Sequence, residues 1–477
     1  MAYDAIIIGA GMSGLAAGIR LAMFDKKVLI LERHYLPGGL NSYYHRLKRP
    51  FDVGLHAMTN YVPKNARGAP LTKLLRQLRI SHDALRLAPQ HGSEVRFPSA
   101  RLAFTNDFEV LRQSVREVFP AQIDGFDRLT KFIHEYDDLS LDAAPRPSRP
   151  VLEEYLSDPL LIDMLYCPLM YYGSAEADEM ELGQFCIMFK SIFSEGFARP
   201  EGGVRTIVKL LTDKYEELGG ELRFKRGVKR ILTKDGRVTG VLLDKGDEVI
   251  EAPVVLSTAG ALETALITDG IETPELEGNP DVGQMTFVES ILCLDVEPRT
   301  LGIDKTIVFY NDSDRFEYRP SEDYLDLRSG VICCSNNYAH EQPLPEGILR
   351  LTNIASYARW NELSCPDGGH RTDMRSPAAY TDLKAQWFAR QQDKLLTMLP
   401  DFRAHVTATD VFTPTTIYYY TRHLNGAVYG SPNKVKSGLT PVDGLFLAGT
   451  DQGFLGIVGA MLSGISIANA RILMAGA

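Results

Sequence analysis

The feature that most constrains the fold is a glycine-rich turn between two apolar runs near the amino terminus. The first run, Tyr3–Ile8, leads into Gly9-Ala10-Gly11-Met12-Ser13-Gly14, which has the spacing G-x-G-x-x-G. Apolar residues then recur at helical spacing, and a second apolar run, Lys27–Leu31, ends at Glu32. This order of strand, glycine turn, helix, strand and acid predicts a dinucleotide-binding unit in an α/β fold.

Each position of this unit has a chemical reason. Gly9 permits the tight turn, Gly11 lets the backbone approach a pyrophosphate, and Gly14 lets the helix lie close to the sheet. The helix start offers free N–H groups and a positive dipole end to the phosphates. Glu32 can accept hydrogen bonds from both hydroxyls of an adenosine ribose. The alternative is a strand, turn and helix that merely contain glycines, which the flanking strands and Glu32 disfavour.

A second glycine turn distinguishes the kind of dinucleotide. Pro37-Gly38-Gly39 follows the acid, and Phe51–His56 (FDVGLH) comes soon after, where a nicotinamide domain would normally continue into another helix. These segments resemble the FAD-dependent family of amine oxidases, phytoene desaturases, carotenoid isomerases and retinol saturases. The order FDVGLH is most similar to the retinol saturase and carotenoid isomerase branch. The resemblance implies that the second glycine pair touches FAD and that the segment around His56 passes close to the isoalloxazine ring.

The middle and the end of the chain extend the resemblance. A glycine pair before a helix, hairpin strands and the run VVLSTAG follow Arg199, and the chain closes with LFLAGTDQGFLGIVGAMLSG. The resemblance implies that the residue at Val228 holds the adenine and that the last helix begins over the pyrimidine edge of the flavin. Thr450 stands between Gly449 and Asp451, where the commonest flavoprotein pattern has an acid directly after the glycine. Whether Asp451 binds the ribityl chain or faces the substrate therefore stays open.

The implied cofactor is FAD. The chain has no second G-x-G-x-x-G, so the sequence does not indicate a stable NAD(P)H site. We expect non-covalent FAD, because no cysteine lies in residues 1–60 or 425–477. The predicted cofactor-binding residues are Gly9, Gly11, Met12, Ser13, Gly14, Glu32, Arg33, Gly38, Gly39, Leu40, Asn41, Gly54, Leu55, His56, Val228, Ala259, Gly260, Gly449, Thr450, Asp451, Gly456, Ile457 and Val458.

The predicted fold class is α/β, with a Rossmann-like FAD-binding domain of the glutathione-reductase and amine-oxidase type. This domain is discontinuous and takes residues 1–70, 199–285 and 433–477. A substrate-binding domain, built of a mixed sheet and helices, takes residues 71–198 and 286–432, and residues 71–198 are expected to be mostly helical.

The composition of the chain argues against several classes of binding partner and site. The net charge of −10 argues against nucleic-acid binding, which needs a dominant basic face. Six cysteines without C-x-x-C spacing indicate neither a disulfide framework nor a metal site. Since the first strand begins at Tyr3, we expect no signal peptide.

For the reaction, the resemblance implies a redox change at a carbon–carbon double bond of an isoprenoid polyene: desaturation, saturation or isomerisation through a transient reduction. His56 is the best acid–base candidate, against the alternative of a histidine with only structural hydrogen bonds. Tyr420, Arg422 and Asp451 are further catalytic candidates. Tyr420 belongs to a run of three tyrosines, Tyr418–Tyr420, that we expect in a strand. Electrons would pass to oxygen, a quinone or another diffusible acceptor, or would come from a reductant.

Two other function classes share this fold. An amine or protoporphyrinogen-type oxidase is the first. Amine oxidation usually requires an aromatic cage around the amine, and the small number of tryptophans, two in the chain, argues against it. A non-catalytic prenyl-lipid-binding protein of the Rab-escort and GDP-dissociation-inhibitor type is the second, and the intact dinucleotide motif argues against it.

An insoluble polyene suggests a cytoplasmic protein bound peripherally to membranes. The apolar run Leu160–Phe197 and the basic cluster His45–Arg49 are the expected footprint. Core packing and a solvated strand edge are the respective alternatives. We expect no transmembrane anchor, because the longest apolar candidate, Phe454–Ala477, is interrupted by polar residues and assigned to the cofactor site.

Overall fold

The computed structural model describes residues 3–64, 66–137, 146–373 and 376–474. Its strands are β1 Ala5–Ile8, β2 Val28–Glu32, β3 Tyr43–Arg46, β4 Arg49–Asp52, β5 Leu87–Pro89, β6 Ser93–Arg96, β7 Arg101–Phe104, β8 Ala198–Pro200, β9 Glu221–Phe224, β10 Val228–Lys234, β11 Arg237–Leu243, β12 Val249–Glu251, β13 Val255–Ser257, β14 Thr286–Leu294, β15 Ile307–Asn311, β16 Ser329–Cys334, β17 Gly347–Ala355, β18 Val406–Phe412 and β19 Leu445–Leu447. Its α-helices are α1 Met12–Ala22, α2 Pro70–Leu78, α3 Phe108–Val118, α4 Ile123–Glu135, α5 Arg149–Glu153, α6 Pro159–Gly173, α7 Leu182–Phe189, α8 Val204–Glu217, α9 Ala261–Leu266, α10 Tyr357–Ser364, α11 Ala378–Leu396, α12 Pro414–Thr421 and α13 Gly456–Ile467.

A five-stranded parallel sheet carries the dinucleotide unit. Its strand order is β19-β13-β1-β2-β9, and every pairing in it is parallel. Apart from the edge strand β9, whose residues are half-buried, the strands are mostly buried and rich in Ile, Val and Leu, as a sheet covered on both faces requires. Helices α1 and α13 pack closely because their contact faces are small: a Cβ at Gly464 would lie 2.0 Å from the carbonyl oxygen of Ser13. The predicted Rossmann-like unit is therefore present.

A seven-stranded mixed sheet forms the second layer, in the order β18-β14-β17-β16-β15-β6-β7. Strands β6 and β7 come from the segment predicted to be mostly helical, and β6 joins the sheet by parallel pairing with β15. Helix α2 of the same segment packs its leucines into the hydrophobic core around α1. The predicted division into two discontinuous domains stays a prediction, while the mixed α/β class agrees with the structure.

The apolar run Leu160–Phe197 is a core element. It forms helices α6 and α7 and a π-helical turn, Lys190–Ser194, and its large side chains are almost all buried in one cluster with the mixed sheet. Pro168 lies inside α6 without ending it. The predicted membrane footprint on this run is therefore wrong, because its apolar surface is already covered by protein.

The basic cluster His45–Arg49 lies on a hairpin made by β3 and β4. Arg46 forms an ion pair with Asp410, and Nε of Arg49 lies 2.8 Å from Oε2 of Glu346. Much of the expected positive charge is thus neutralised within the protein.

The tyrosine run departs from its predicted strand. Tyr418–Tyr420 lies in helix α12, which begins with Pro414 at its first position and is followed by Arg422 in a left-handed conformation. A proline at the first helical position is pre-organised for helix, and this outweighs the β-propensity of the aromatic residues.

The carboxyl-terminal helical segment is longer and more apolar than expected. Gly456–Leu473 reaches 18 residues with a mean hydropathy of 1.5, which is enough to cross a membrane by length and composition alone, although 44% of it is buried inside the protein. The expectation of no transmembrane anchor stays a prediction. Its first part packs on α1 and begins at the cavity described below. The last residues of the predicted Phe454–Ala477 segment, 475–477, lie outside the described residues.

Candidate cofactor and active site

One cavity, with a volume of about 830 Å³, joins the carboxyl ends of the parallel strands to the mixed sheet. Its walls come from the glycine turn after β1, the end of β2, the starts of α1 and α13, and strands β14, β16 and β17. Ligands of open α/β sheets bind outside the carboxyl ends of the strands, where this cavity lies. The volume is at the upper end of the range for small-molecule sites.

The glycine turns leave open space beside the cavity. A Cβ at Gly11 would meet no protein atom within 4 Å, and Gly11 lines the cavity with an ordinary φ of −71°. Gly39, Gly54 and Gly456 line the same cavity and are exposed there. Gly14, at the end of the turn that contains Gly11, has no such space, since a Cβ at Gly14 would lie 2.1 Å from the carbonyl oxygen of Gly9.

Glu32 is held at the end of β2 by the backbone. Its Oε2 accepts a hydrogen bond from the N–H of Ala10 at 2.8 Å, and its Oε1 accepts one from the N–H of His34 at 2.7 Å. An ionised carboxylate can accept further hydrogen bonds, and Glu32 lines the cavity. The side chain is therefore pre-oriented to bind a pair of ligand hydroxyls.

Most of the predicted cofactor-binding residues meet at this cavity. Those that line it are Gly9, Gly11, Met12, Ser13, Glu32, Arg33, Gly38, Gly39, Leu40, Asn41, Gly54, His56, Val228, Ala259, Gly449, Thr450, Gly456 and Ile457. Those that do not are Gly14, Leu55, Gly260, Asp451 and Val458. The open glycines, two helix starts and a fixed acid fit a dinucleotide, and the lining that continues past them leaves room for a flavin and a substrate.

His56 is the predicted catalytic residue that the structure equips best. It lines the cavity, and its Nε2 lies 2.9 Å from Oε2 of Glu289 and 3.2 Å from Oγ1 of Thr352. The carbonyl oxygen of His56 accepts a hydrogen bond from the hydroxyl of Tyr338 at 2.9 Å. Among the described residues, hydrogen bonds to the ring reach only Nε2, so Nδ1 is available to a ligand or water.

Glu289 is a buried charge with a nearby counter-ion. Nη1 of Arg350 lies 3.1 Å from Oε1 of Glu289. Burial raises the pKa of Glu289, but Arg350 and His56 more than offset this, so that the pKa lies below its ordinary value. The same guanidinium donates a hydrogen bond to the carbonyl oxygen of Leu55 at 3.3 Å, beside His56. Glu289 and Arg350 were not predicted, although a charged residue inside each apolar strand, TFVESILCL and GILRLTNIA, is a usable signal.

The part of the cavity that contains His56 also has apolar and aromatic walls, and we call it the chamber. Its wall is made by Tyr171, Tyr172, Met188, Phe287, Val331 and Tyr429. The hydroxyl of Tyr171 is hydrogen-bonded to Ser329 at 2.8 Å, and that of Tyr429 to the carbonyl oxygen of Tyr171. Tyr171 and Tyr429 therefore present mainly their rings to the cavity, which suits an apolar ligand, whereas the buried hydroxyl of Tyr172 has no hydrogen-bond partner among the described residues.

Of the other catalytic candidates, Tyr420 and Arg422 line the same cavity, whereas Asp451 does not. Tyr420 lines the outer part of the cavity and is 39% exposed, with its ring 4.9 Å from that of His34. Arg33 caps helix α12 there, donating to the carbonyl oxygens of Tyr419 at 3.0 Å and Tyr420 at 2.7 Å. Arg422 lines the cavity but donates to the carbonyl oxygen of Arg371 at 3.0 Å.

Asp451 stabilises the loops behind the cavity through hydrogen bonds. It is buried, and its two carboxylate oxygens accept hydrogen bonds from the N–H groups of Ala261 at 2.7 Å and Ser431 at 2.8 Å. The carboxylate thus ties the turn after β13 to the segment before β19. Its absence from the cavity lining argues against either ligand role that the sequence left open.

Known proteins resemble this chain along nearly all of its length. The family model described as flavin containing amine oxidoreductase matches residues 12–472. The chloroplastic prolycopene isomerase of Daucus carota is 24% identical over 513 residues, covering 98% of this chain and 79% of the relative. The all-trans-retinol 13,14-reductase of Danio rerio is 23% identical over 534 residues, covering 97% of this chain and 85% of the relative.

Solved structures show the same fold. An oxidoreductase from Methanosarcina mazei has a TM-score of 0.65 at 16% identity, with 98% of this chain and 99% of that chain covered. A putrescine oxidase variant has a TM-score of 0.61 at 16% identity, covering 100% and 99%. The Rab GDI of Plasmodium falciparum has a TM-score of 0.54 at 13% identity, covering 98% of both. The predicted branch and fold are confirmed, and the chain belongs to the flavin-containing amine oxidoreductase family.

Proposed function

We propose that this protein is an FAD-dependent oxidoreductase that acts on carbon–carbon double bonds of an isoprenoid polyene. The observation that carries the proposal is the continuity of the cofactor cradle with an aromatic, apolar chamber beside His56. The names of the relatives support the substrate class, since one is a prolycopene isomerase and another an all-trans-retinol reductase. Desaturation, saturation and redox-assisted cis–trans isomerisation are all compatible with this site.

FAD, when bound, supplies hydride exchange with a substrate carbon. The chain's own contribution is to bind, exclude water and move a proton. In the saturating direction, Nδ1 of protonated His56 gives its proton to the substrate carbon next to the one that gains the hydride, and water then reprotonates the ring. In the desaturating direction, neutral Nδ1 accepts that proton as the new double bond forms. The conjugated system lowers the barrier because it delocalises the charge that develops.

Two alternatives of the same fold remain to be separated from this proposal. An amine or protoporphyrinogen-type oxidase is supported by the putrescine oxidase structures, and a non-catalytic prenyl-lipid carrier by the Rab GDI structure. The chamber beside His56 favours an apolar substrate over a diamine. The intact glycine cradle at Gly11 favours an FAD enzyme over a carrier.

The deciding experiment incubates the FAD-loaded protein, with and without prior reduction, with retinoids, carotenoids, a diamine and a protoporphyrinogen. Product masses are read by chromatography. A change of two hydrogens in a polyene indicates saturation or desaturation, and an unchanged mass with a new absorption spectrum indicates isomerisation. Conversion of the diamine or the protoporphyrinogen alone would refute the proposal. The same panel, repeated with oxygen, a quinone or a chemical reductant, identifies the electron partner.

We propose that the FAD is held without a covalent bond. No cysteine is among the described residues that line the cavity, so no thiol is placed there to form a covalent bond with the flavin. Denaturation and precipitation should leave all flavin absorbance in the supernatant. Flavin that stays with the precipitate would show a covalent link, with His56 or His423 as the candidate residue.

We also propose that the protein works in the cytoplasm, bound peripherally to a membrane through the rim of the cavity. We define the rim as Tyr35 and Tyr420, which line the cavity, together with Leu47 and Lys48 at the tip of the β3–β4 hairpin, next in sequence to the cavity-lining residues His45 and Arg46. Tyr35 is 53% exposed, Leu47 57% and Tyr420 39%, so that apolar surface flanks the opening through which an insoluble substrate would enter. Burial of apolar surface contributes about 25 cal/mol per Å², so a few hundred Å² support reversible binding.

Liposome sedimentation tests the rim. Wild-type protein should sediment with vesicles and resist high salt, which screens only the electrostatic part. The variant Leu47→Ser should bind less, whereas Phe24→Ser should not differ from wild type. Phe24 is a matched control because it is 49% exposed beyond the far end of α1, about 16 Å along the helix from the cavity. Wild-type protein that stays in the supernatant at low salt would refute membrane binding.

A further inference from the structure

We propose that Glu289 is a positioning residue that fixes the tautomer of His56, so that Nδ1 acts as the proton-transfer atom in the cavity. This deepens the proposed function and depends on it for its catalytic meaning. The sequence separation of 233 residues between the two side chains shows that the contact is a product of the fold and not of a local motif.

The geometry of the pair supports a fixed orientation. Glu289 lies on β14, whose neighbours are β17 and β18, and both side chains are largely buried, with 14% of His56 and 9% of Glu289 exposed. Oε2 of Glu289 is 2.9 Å from Nε2, closer than Oγ1 of Thr352 at 3.2 Å. Tyr338 holds the backbone of His56 from another side through its hydrogen bond to the carbonyl oxygen. The ring is thus restrained at one nitrogen and at its own main chain.

The charge of Glu289 decides which nitrogen carries the proton. An ionised carboxylate can only accept hydrogen bonds, so Nε2 must be the donor. Neutral His56 then has its lone pair on Nδ1, and a proton taken up there creates an imidazolium that the adjacent carboxylate stabilises. Arg350, 3.1 Å from Oε1, keeps the carboxylate ionised despite its burial.

Other groups face His56 without competing for Nδ1. Cys333 on β16 is 3.6 Å from the carbonyl oxygen of His56, and Nη1 of Arg199 donates to the carbonyl oxygen of Leu55 at 2.9 Å. Arg199 also pairs with Asp52, so this second buried pair is neutral as a unit. Tyr172 on α6 lines the cavity nearby. The carboxylate of Glu289 is therefore the charge in direct contact with the ring.

The first test is the pH profile of polyene conversion in wild type, Glu289→Gln and Glu289→Asp. Loss of the neighbouring negative charge disfavours a proton on the ring, so the profile should move to lower pH, on its acid limb for desaturation and on its alkaline limb for saturation. The aspartate variant keeps the charge and should restore most of the wild-type profile. Glu94→Gln is the matched control: Glu94 is also buried and paired with an arginine, Arg96, but lies on β6, about 19 Å across the same sheet.

The second test needs no substrate. In protein carrying ¹⁵N-labelled histidine, the ring signals of His56, assigned by their loss in His56→Gln, should show the proton on Nε2 in wild type and in Glu94→Gln. Glu289→Gln should give a mixture of tautomers, since an amide both donates and accepts. If Glu289→Gln does not fold, the same spectrum is recorded on Glu289→Gln/Arg350→Met, which removes both buried charges together.

A folded variant with the wild-type tautomer and an unmoved pH profile would overturn the role of Glu289. A wild-type protein that converts no polyene would overturn the proposed function, but the tautomer spectra would still support or overturn the positioning of His56 by Glu289. The two failures are therefore distinguishable.

Discussion

Replacing Gly11 by alanine separates cofactor binding from folding. Gly11 has a φ of −71° and a ψ of 178°, which alanine adopts without strain, and the added Cβ would meet no protein atom within 4 Å. The folded protein should therefore tolerate the change. Alanine loses less conformational entropy than glycine, by about 0.4–1 kcal/mol, and is a slightly poorer N-cap, so the free energy of unfolding without cofactor should stay within about 1 kcal/mol of wild type.

The methyl group would instead enter the space of the bound dinucleotide. Overfilling a close-packed contact costs about 1–3 kcal/mol, which corresponds to an increase in the Kd for FAD of about 5- to 150-fold. The assay is titration of the flavin-free protein with FAD, followed by fluorescence, together with thermal unfolding of the same samples.

Two other glycines provide the controls. Gly92→Ala should change neither property, because its Cβ would lie 3.7 Å from Cγ2 of Thr105, an ordinary contact away from the cavity. Gly14→Ala should unfold at lower temperature even without FAD, because its Cβ would lie 2.1 Å from the carbonyl oxygen of Gly9. An unchanged Kd in Gly11→Ala would refute the assignment of this turn to the cofactor.

Three further predictions concern acidic residues. Glu32→Ala should sharply lower the flavin bound per protein, since each charged hydrogen bond to the ribose contributes about 1.5–3 kcal/mol, and unchanged visible absorbance would rule out the ribose role. Asp451→Ala should lower the free energy of unfolding in urea by about 1–3 kcal/mol for each of the two N–H groups left unpaired, at Ala261 and Ser431; stability equal to wild type would contradict its structural role. The pKa of Glu289 is held below its ordinary value, so the stabilisation by its charge is fully present above the unfolded-state pKa of about 4.3 and is lost as the pH falls through the folded-state pKa. The difference in the free energy of unfolding between wild type and Glu289→Gln should therefore become smaller on acidification. A difference that does not depend on pH would count against the buried ion pair.

The parts of the site built from neighbouring residues could be predicted from the sequence. The turn at Gly9–Gly14, the acid at Glu32 and Gly456 at the start of α13 each stand among strand, turn and helix signals within a few residues. Their meeting at one cavity follows from the parallel sheet, because the carboxyl ends of its strands share an edge.

The partners that arrive from distant strands could not be predicted in the same way. Glu289 and Arg350 reach His56 only through the register of the mixed sheet, in which β14 pairs with β17, and no local pattern encodes that register. The sequence left core packing and a membrane footprint both open for Leu160–Phe197, because an apolar run looks the same whether protein or membrane covers it.

Helix α12 was missed for a different reason. Its aromatic residues favour a strand, yet Pro414 at the first helical position and the capping of its last carbonyls by Arg33 stabilise the helix. The proline was a readable signal, whereas the arginine cap depends on a residue far away in sequence.

The central claim is hydride exchange between the bound flavin and a polyene, and rapid mixing under nitrogen measures it directly. The FAD-loaded protein, in oxidised and in reduced form, is mixed with a retinoid or a carotenoid while the visible flavin absorbance is recorded. We predict a change in at least one of the two forms, lasting for a net redox reaction and transient for an isomerisation. Flavin absorbance that never responds to a polyene, but bleaches with a diamine or a protoporphyrinogen, would contradict the account.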